Sequence, residues 1–323
     1  MGRTWLGIIA AAIVVVAGSA AYLGYTELSG HPTVPVAVTY STISTMPLNW
    51  AIQNGFISKY FPGFTITPFS NSGDTIRALE AGHGEIAVTS TLTALASIAE
   101  GAPLKIVAVW DSTPYASMIL VAYNSSYQSL DQLRGKTFAL SSPSSLDDIT
   151  LRLVAAQLGW GKNYTAVYVN TLTAQAAAVI AGKVDATLFD YWRAIPFVTS
   201  QQLRALYIAN QTWPIQVVVA RDDFIQHHPS EIKRFLADLY KLDLQWYSDP
   251  NSTTYYMVKY FRFSASEAQS FRVAQKYSTT PAQAVIVKSQ IQQALQALAS
   301  SGGIPSNSTK IPLTQFYTDQ FTS

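Results

Sequence analysis

The triplet Asp190-Tyr191-Trp192 sets a carboxylate beside two aromatic faces. Such a group binds an ammonium by charge and cation–π contact, or stacks on a flat heterocycle. The plainer alternative is that both rings only pack the helix that follows them. Five further turns, at 41–45, 70–72, 89–91, 111–115 and 141–145, are rich in hydroxyl, amide or carboxylate groups. Several precede helices, so unpaired backbone N–H groups, hydroxyls and helix dipoles would converge on whatever lies between them. None of these turns contains Lys or Arg, a lining that suits an oxoanion held without a cationic side chain. The candidate ligand-binding residues are Ser44, Thr45, Asn71, Ser90, Thr91, Asp111, Tyr115, Ser142, Ser144, Asp190, Tyr191 and Trp192. At each hydroxyl position simple helix capping is the competing role, and only convergence favours a ligand. Asp147 and Asp148 open a helix, where interaction with its dipole explains them better than a ligand does.

Catalytic chemistry finds little support. His31, His83, His227 and His228 show neither metal-ligand spacing nor a Ser/His/Asp pattern, and no Gly-rich phosphate loop is present. The chain has no Cys, hence no disulfide framework and no Cys metal site. The expectation is a protein that is not an enzyme and uses no metal or cofactor.

Two stretches one hundred residues apart position the candidate residues. Ala78-Leu79-Glu80-Ala81-Gly82-His83-Gly84-Glu85-Ile86-Ala87 and Ala178-Val179-Ile180-Ala181-Gly182-Lys183-Val184-Asp185-Ala186-Thr187 look like one device used twice. Each ends an amphipathic helix, turns at a Gly, places an acid and enters a short apolar strand. Polar triplets follow, Thr89-Ser90-Thr91 and Asp190-Tyr191-Trp192. In open α/β sheets ligands bind outside the carboxyl ends of the strands, so the triplets belong at two strand mouths facing a common cleft.

The remaining pattern fits this plan. Apolar runs at 36–40, 65–69, 104–110, 117–123, 137–140, 167–169, 204–208 and 217–220 read as strands, with helices between many of them. Asp74 and Thr173 read as helix caps, and 229–246, 252–261, 266–277 and 282–300 as a helical tail. Alternating strands and helices predict an α/β chain of two doubly wound lobes joined by two crossing segments, with the ligand cleft between them. Lobe 1 is read as 34–122 plus 216–323, and lobe 2 as 123–215. The length of 323 residues and 49% hydrophobic content suffice for two cores.

Composition narrows the setting. A net charge of +2 with scattered Lys and Arg argues against nucleic acid as a partner. Charged residues make up only 12%, which suits acidic or otherwise harsh surroundings. Residues 5–25 carry no charge and are long enough to span a bilayer, so 1–30 is read as a membrane anchor or cleaved signal, a transmembrane helix or export sequence. Sequons begin at Asn124, Asn163, Asn210, Asn251 and Asn307, all in expected loops. They point to a glycosylated exterior domain, here expected on an archaeal cell surface.

In order along the chain, Trp50-Ala51-Ile52-Gln53-Asn54-Gly55-Phe56, Ala78-Leu79-Glu80-Ala81-Gly82 with Glu85-Ile86-Ala87, Gly101-Ala102-Pro103-Leu104-Lys105-Ile106-Val107, Leu133-Arg134-Gly135-Lys136, Ala181-Gly182-Lys183-Val184-Asp185-Ala186, and Ala220-Arg221-Asp222-Asp223-Phe224 leading to His228-Pro229 carry a resemblance. The chain from 36 to 246 resembles the solute-binding proteins of ABC importers that include the aliphatic sulfonate, taurine, nitrate and thiamine-pyrimidine binders. The resemblance implies a type II periplasmic-binding-protein-like fold, a monomer that closes on a small-molecule solute and delivers it to an ABC permease in the membrane. One departure is Asp190-Tyr191-Trp192, where many relatives place an aromatic before a Glu-Pro pair. A sulfonate, taurine or nitrate-like solute is therefore expected, with an aminopyrimidine as the alternative. A ligand-sensing ectodomain is the remaining rival; it needs a signalling domain across the membrane, for which Met1 to Thr4 is too short.

Overall fold

The computed structural model describes residues 35–41, 45–113 and 116–322. The expected anchor or signal at 1–30 lies outside the described residues, among which no helix is long and apolar enough to cross a membrane. Ten strands form two five-stranded sheets. The first contains β1 (Val36–Ser41), β2 (Phe64–Phe69), β3 (Ile86–Ser90), β4 (Leu104–Asp111) and β10 (Gln216–Arg221), in the order β2-β1-β3-β10-β4. The second contains β5 (Ala116–Ala122), β6 (Thr137–Leu140), β7 (Thr165–Tyr168), β8 (Ala186–Asp190) and β9 (Leu203–Asn210), in the order β7-β6-β8-β5-β9.

The two orders correspond strand for strand. In each sheet four strands run in one direction, and the fourth position is filled by the single reversed strand, β10 or β5, bonded antiparallel on both sides. Those two strands are the first after each change of sheet, β5 following β4 and β10 following β9. The sheets are thus mixed. The boundary read at 122 is corrected: β5 pairs with β8 and β9, so the strand taken as the end of lobe 1 belongs to the second sheet. Its apolar run is equally suited to either sheet, and only the antiparallel slot beside β8 decides.

The inner strands of both sheets are covered on both faces, which is why they read as continuous apolar runs, whereas the edge strand β7 is largely exposed. Alternation sorts the side chains: Val218 and Ala220 enter one layer with Trp110 and Trp246, while Val217 and Val219 enter another with Leu95 and Leu298. In the second sheet Ile119 and Val121 face one layer, Met118 and Leu120 the other. Helices α1 (Met46–Gln53), α2 (Ile57–Tyr60), α3 (Ser72–Glu80) and α4 (Thr91–Ala99) lie within the first βα series, and α5 (Leu146–Gln157), α6 (Leu172–Ile180) and α7 (Tyr191–Thr199) within the second. The tail supplies α8 (Asp222–His227), α9 (Pro229–Ser248), α10 (Pro250–Phe261), α11 (Ala265–Ala274) and α12 (Lys288–Ser300). The last begins later than read, because 281–283 form a separate 3-10 turn.

The repeated device has a shared physical basis. Gly82 and Gly182 stop α3 and α6 with φ of +78° and +66°, a conformation that favours Gly. The acid that follows then anchors the neighbouring parallel strand at its start. Glu85 accepts from the Ala37 N–H at 2.7 Å, and Asp185 accepts from the Thr137 N–H at 2.8 Å. Their own N–H groups donate to the carbonyls of the same two residues, each at 2.9 Å.

Candidate functional site

Strand mouths of the two sheets meet along a seam built from helix N-termini. Asn71 caps α3, accepting from the Asp74 N–H at 2.9 Å, and is 2% exposed. The cap lies three residues earlier than Asp74, which instead accepts from the Asn71 amide at 2.7 Å. The same amide crosses the seam, donating to Asn170 at 3.0 Å and accepting from the Ser142 hydroxyl at 2.8 Å. Thr171, not Thr173, caps α6. Ser72, in the first turn of α3, accepts from the Leu146 N–H of α5 at 3.2 Å, satisfying one of the donors that a helix start leaves free. It also accepts from Thr93 at 3.0 Å, whose hydroxyl lies 3.1 Å from the Ser144 carbonyl. Ser90 caps α4 and bonds Thr93 at its hydroxyl, 2.7 Å. Asn71, Ser90, Ser142 and Ser144 are therefore brought together, but largely bonded to one another.

A second cluster carries the charge. Asp111, at the end of β4, is buried and accepts from the Thr113 N–H at 2.8 Å and from its hydroxyl. Burial pushes its carboxyl from 3.8 up to about 6 against those two bonds, and the Asp190 charge adds to the rise. With its amide nitrogen toward Asp111, Gln275 donates to that carboxylate at 2.9 Å and accepts from Trp192 Nε1 at 3.1 Å. Trp192, from the second unit, thus meets the first unit through Gln275 and through the Phe271 ring, edge-on at 5.1 Å. Asp190 caps α7 and holds Arg193, whose N–H lies at 3.1 Å and guanidinium at 2.9 Å, both side chains about a tenth exposed.

Other candidates do different work. Thr91 donates to the Pro214 carbonyl at 2.6 Å, tying α4 to the returning crossover. Thr45 is buried at the start of α1, and Tyr191 is exposed, edge-on to Trp192 at 5.0 Å. Ser144 is exposed with φ +59°, its N–H held by Asp148 at 2.9 Å. Ser44 and Tyr115 lie outside the described residues. Asp147 receives the Ser141 N–H and hydroxyl at 2.6 Å each, and Asp148 pairs with Arg152 at 2.7 Å, so both are structural. Sequence reading missed Arg193 and Gln275. Arg193 stands next to the triplet and is the cation its carboxylate needs, a usable signal; Gln275 lies 83 positions beyond Trp192 with none. Among the described residues no group of three or more His, Cys, Asp or Glu could hold a metal.

The NMT1/THI5-like family matches residues 50–241, well over half of the chain. The chain belongs to that family. No curated protein sequence matches it. Solved structures do. A Candida albicans gene product, CA3427, described as exhibiting the generic periplasmic binding protein fold, is similar at TM-score 0.75 and 16% identity, over 88% of this chain and 96% of that one. The alkanesulfonate-binding protein SsuA from Xanthomonas axonopodis pv. citri, bound to MOPS, gives 0.68 and 18%, over 86% and 96%. The periplasmic nitrate-binding protein NrtA from Synechocystis PCC 6803 gives 0.68 and 16%, over 90% and 88%. At these identities the likeness is one of fold, and it makes this member of the family an α/β periplasmic-binding-protein fold. The sulfonate- and nitrate-binding neighbours are binding proteins, not enzymes, and together with the family they support a solute-binding role.

Proposed function

We propose that the protein is the extracytoplasmic solute-binding component of an ABC importer, capturing a small organic oxoanion of the sulfonate or taurine kind between its two sheet units. The observation that carries this reading is the seam itself. Three helix N-termini, those of α3, α4 and α5, meet at the seam, that of α7 opens at the end of β8, and such termini favour anions. Arg193 adds a cation there, with its charge balanced by Asp190. Closure on a ligand gives the permease a distinct surface to recognise. An aminopyrimidine remains the second reading, favoured by the buried Asp111 carboxylate linked to the Trp192 ring through Gln275.

A thermal-shift screen over sulfonates, taurine, nitrate, bicarbonate, aminopyrimidines and short peptides tests the proposal, because a ligand bound to the folded state raises Tm by mass action. The expected hits are sulfonates, accompanied by a smaller radius of gyration in solution scattering. A response to peptides or aminopyrimidines alone would replace the ligand class, and unchanged scattering at saturation would remove the closure mechanism. Asp190→Asn frees the Arg193 guanidinium, so it should leave nitrate or a simple sulfonate bound as tightly or more so. The same change should weaken taurine, whose ammonium loses a carboxylate.

A further inference from the structure

Beside the Asp190–Arg193 pair lies a groove of about 620 Å³ with one wall from each unit. Trp192, Pro196 and Phe197 of α7 form the first wall, and Tyr260, Phe261 and Phe263, at and just beyond the end of α10, form the second. A nitrate or taurine would leave most of that space empty, whereas ligand sites for organic molecules run from roughly 300 to 1,000 Å³. The charged residues lining it are Arg193 and Arg262; no Asp or Glu lines it. Arg193 is already paired with Asp190. Arg262 is exposed and forms no ion pair among the described residues. It also terminates α10 in the left-handed region, φ +61° and ψ 22°, where Gly is the favoured residue and a non-Gly side chain is strained. Arg262 thus lines an aromatic groove from a position where the backbone alone would prefer no side chain.

We infer that the groove takes the ring of an aromatic acid, whose carboxylate or sulfonate is met by Arg262 and Arg193 while its flat body lies among Trp192, Phe197 and Phe263. The inference rests on the solute-binding reading above and specifies its ligand: an aryl acid, not an inorganic oxoanion. Planar guanidinium groups suit such acids because they give paired hydrogen bonds and also pack against rings.

Calorimetric titration with 2-naphthoate, acetate, nitrate and the neutral 2-naphthalenemethanol tests it. 2-Naphthoate is expected to bind at least a hundredfold more tightly than acetate, nitrate or the alcohol. Arg262→Gly should lower 2-naphthoate affinity by about tenfold, the loss of one charge-assisted contact. Because the substitution relieves the left-handed backbone, Tm of the free protein should hold or rise, which a merely structural arginine would not allow. Phe197→Ala should weaken 2-naphthoate and leave acetate unchanged. Nitrate or acetate binding as well as 2-naphthoate would overturn the inference while leaving an anion-binding protein. Equal binding of the alcohol would overturn the role of the arginines. No heat with any of the four, in a protein that responds to aminopyrimidines, would overturn the inference together with the anion reading.

Discussion

Asp111 shows how burial writes a pH dependence into a single residue. Its carboxyl is ordinarily at 3.8 and rises to about 6 in the fold, chiefly through desolvation. Between these values the native state holds a proton that the unfolded chain has lost, so stability is greatest below about pH 4 and falls as pH rises through 6. The contribution is about 3 kcal/mol at most. Asp243 acts in the same sense: burial drives it well above the usual carboxylate range, despite the Trp110 Nε1 donor at 2.5 Å. Asp223 and Glu267 are held low, but both sit near the surface and lose their contribution only under more acidic conditions. Thermal melts should therefore give a higher Tm at pH 4.5 than at pH 7.5, and Asp111→Asn should narrow the gap. A Tm rising with pH over that interval would contradict the assignment. An acid-tolerant core agrees with the low share of charged residues, 12%.

At the scale of elements, the twin helix-turn-strand units rest on one glycine and one acid each. A Cβ at Gly182 meets nothing within 4 Å, so Gly182→Ala should cost only the left-handed conformation, about 1 kcal/mol. The two acids are not equivalent. Glu85 serves the Ala37 N–H, whereas Asp185 serves the Thr137 N–H and also the Tyr127 hydroxyl at 2.5 Å. Asp185→Ala should accordingly destabilise by about 2 kcal/mol and Glu85→Ala by about 1 kcal/mol. Urea midpoints for the two variants give the comparison, and equal losses would mean that the tyrosine contributes nothing.

For the molecule as a whole, the seam decides how the two units rest against each other. Ser142 and Asn170 contact Asn71 across it without forming the α3 cap themselves, so Ser142→Ala combined with Asn170→Ala removes two crossing bonds and spares the helix. At about 1 kcal/mol per bond the balance should move toward open forms. Scattering from the ligand-free variant should give a larger radius of gyration than the parent, and ligand affinity should fall by the fraction of competent molecules lost. An unchanged radius would show that the remaining crossing contacts, those of Ser72 with Leu146 and of Trp192 with Phe271 and Gln275 among them, hold the units together without these two bonds.

Local physics made much of this legible in the chain. Apolar runs marked the inner strands because both their faces are buried, and Gly82 with Glu85, then Gly182 with Asp185, exposed the repeat because the same turn and the same strand anchor recur. The α/β class, the helical tail and the strand mouths followed from those signals. What the tertiary structure alone decided depends on partners far away in sequence. The β5 strand joins the second sheet only because β8 and β9 flank it. Asn71 is spent on Ser142 and Asn170, 71 and 99 positions away, and Asp190 is claimed by Arg193 before any ligand can reach it. A hydrogen-bonding residue read in isolation shows what it can hold; the assembled chain determines what is left for it to hold.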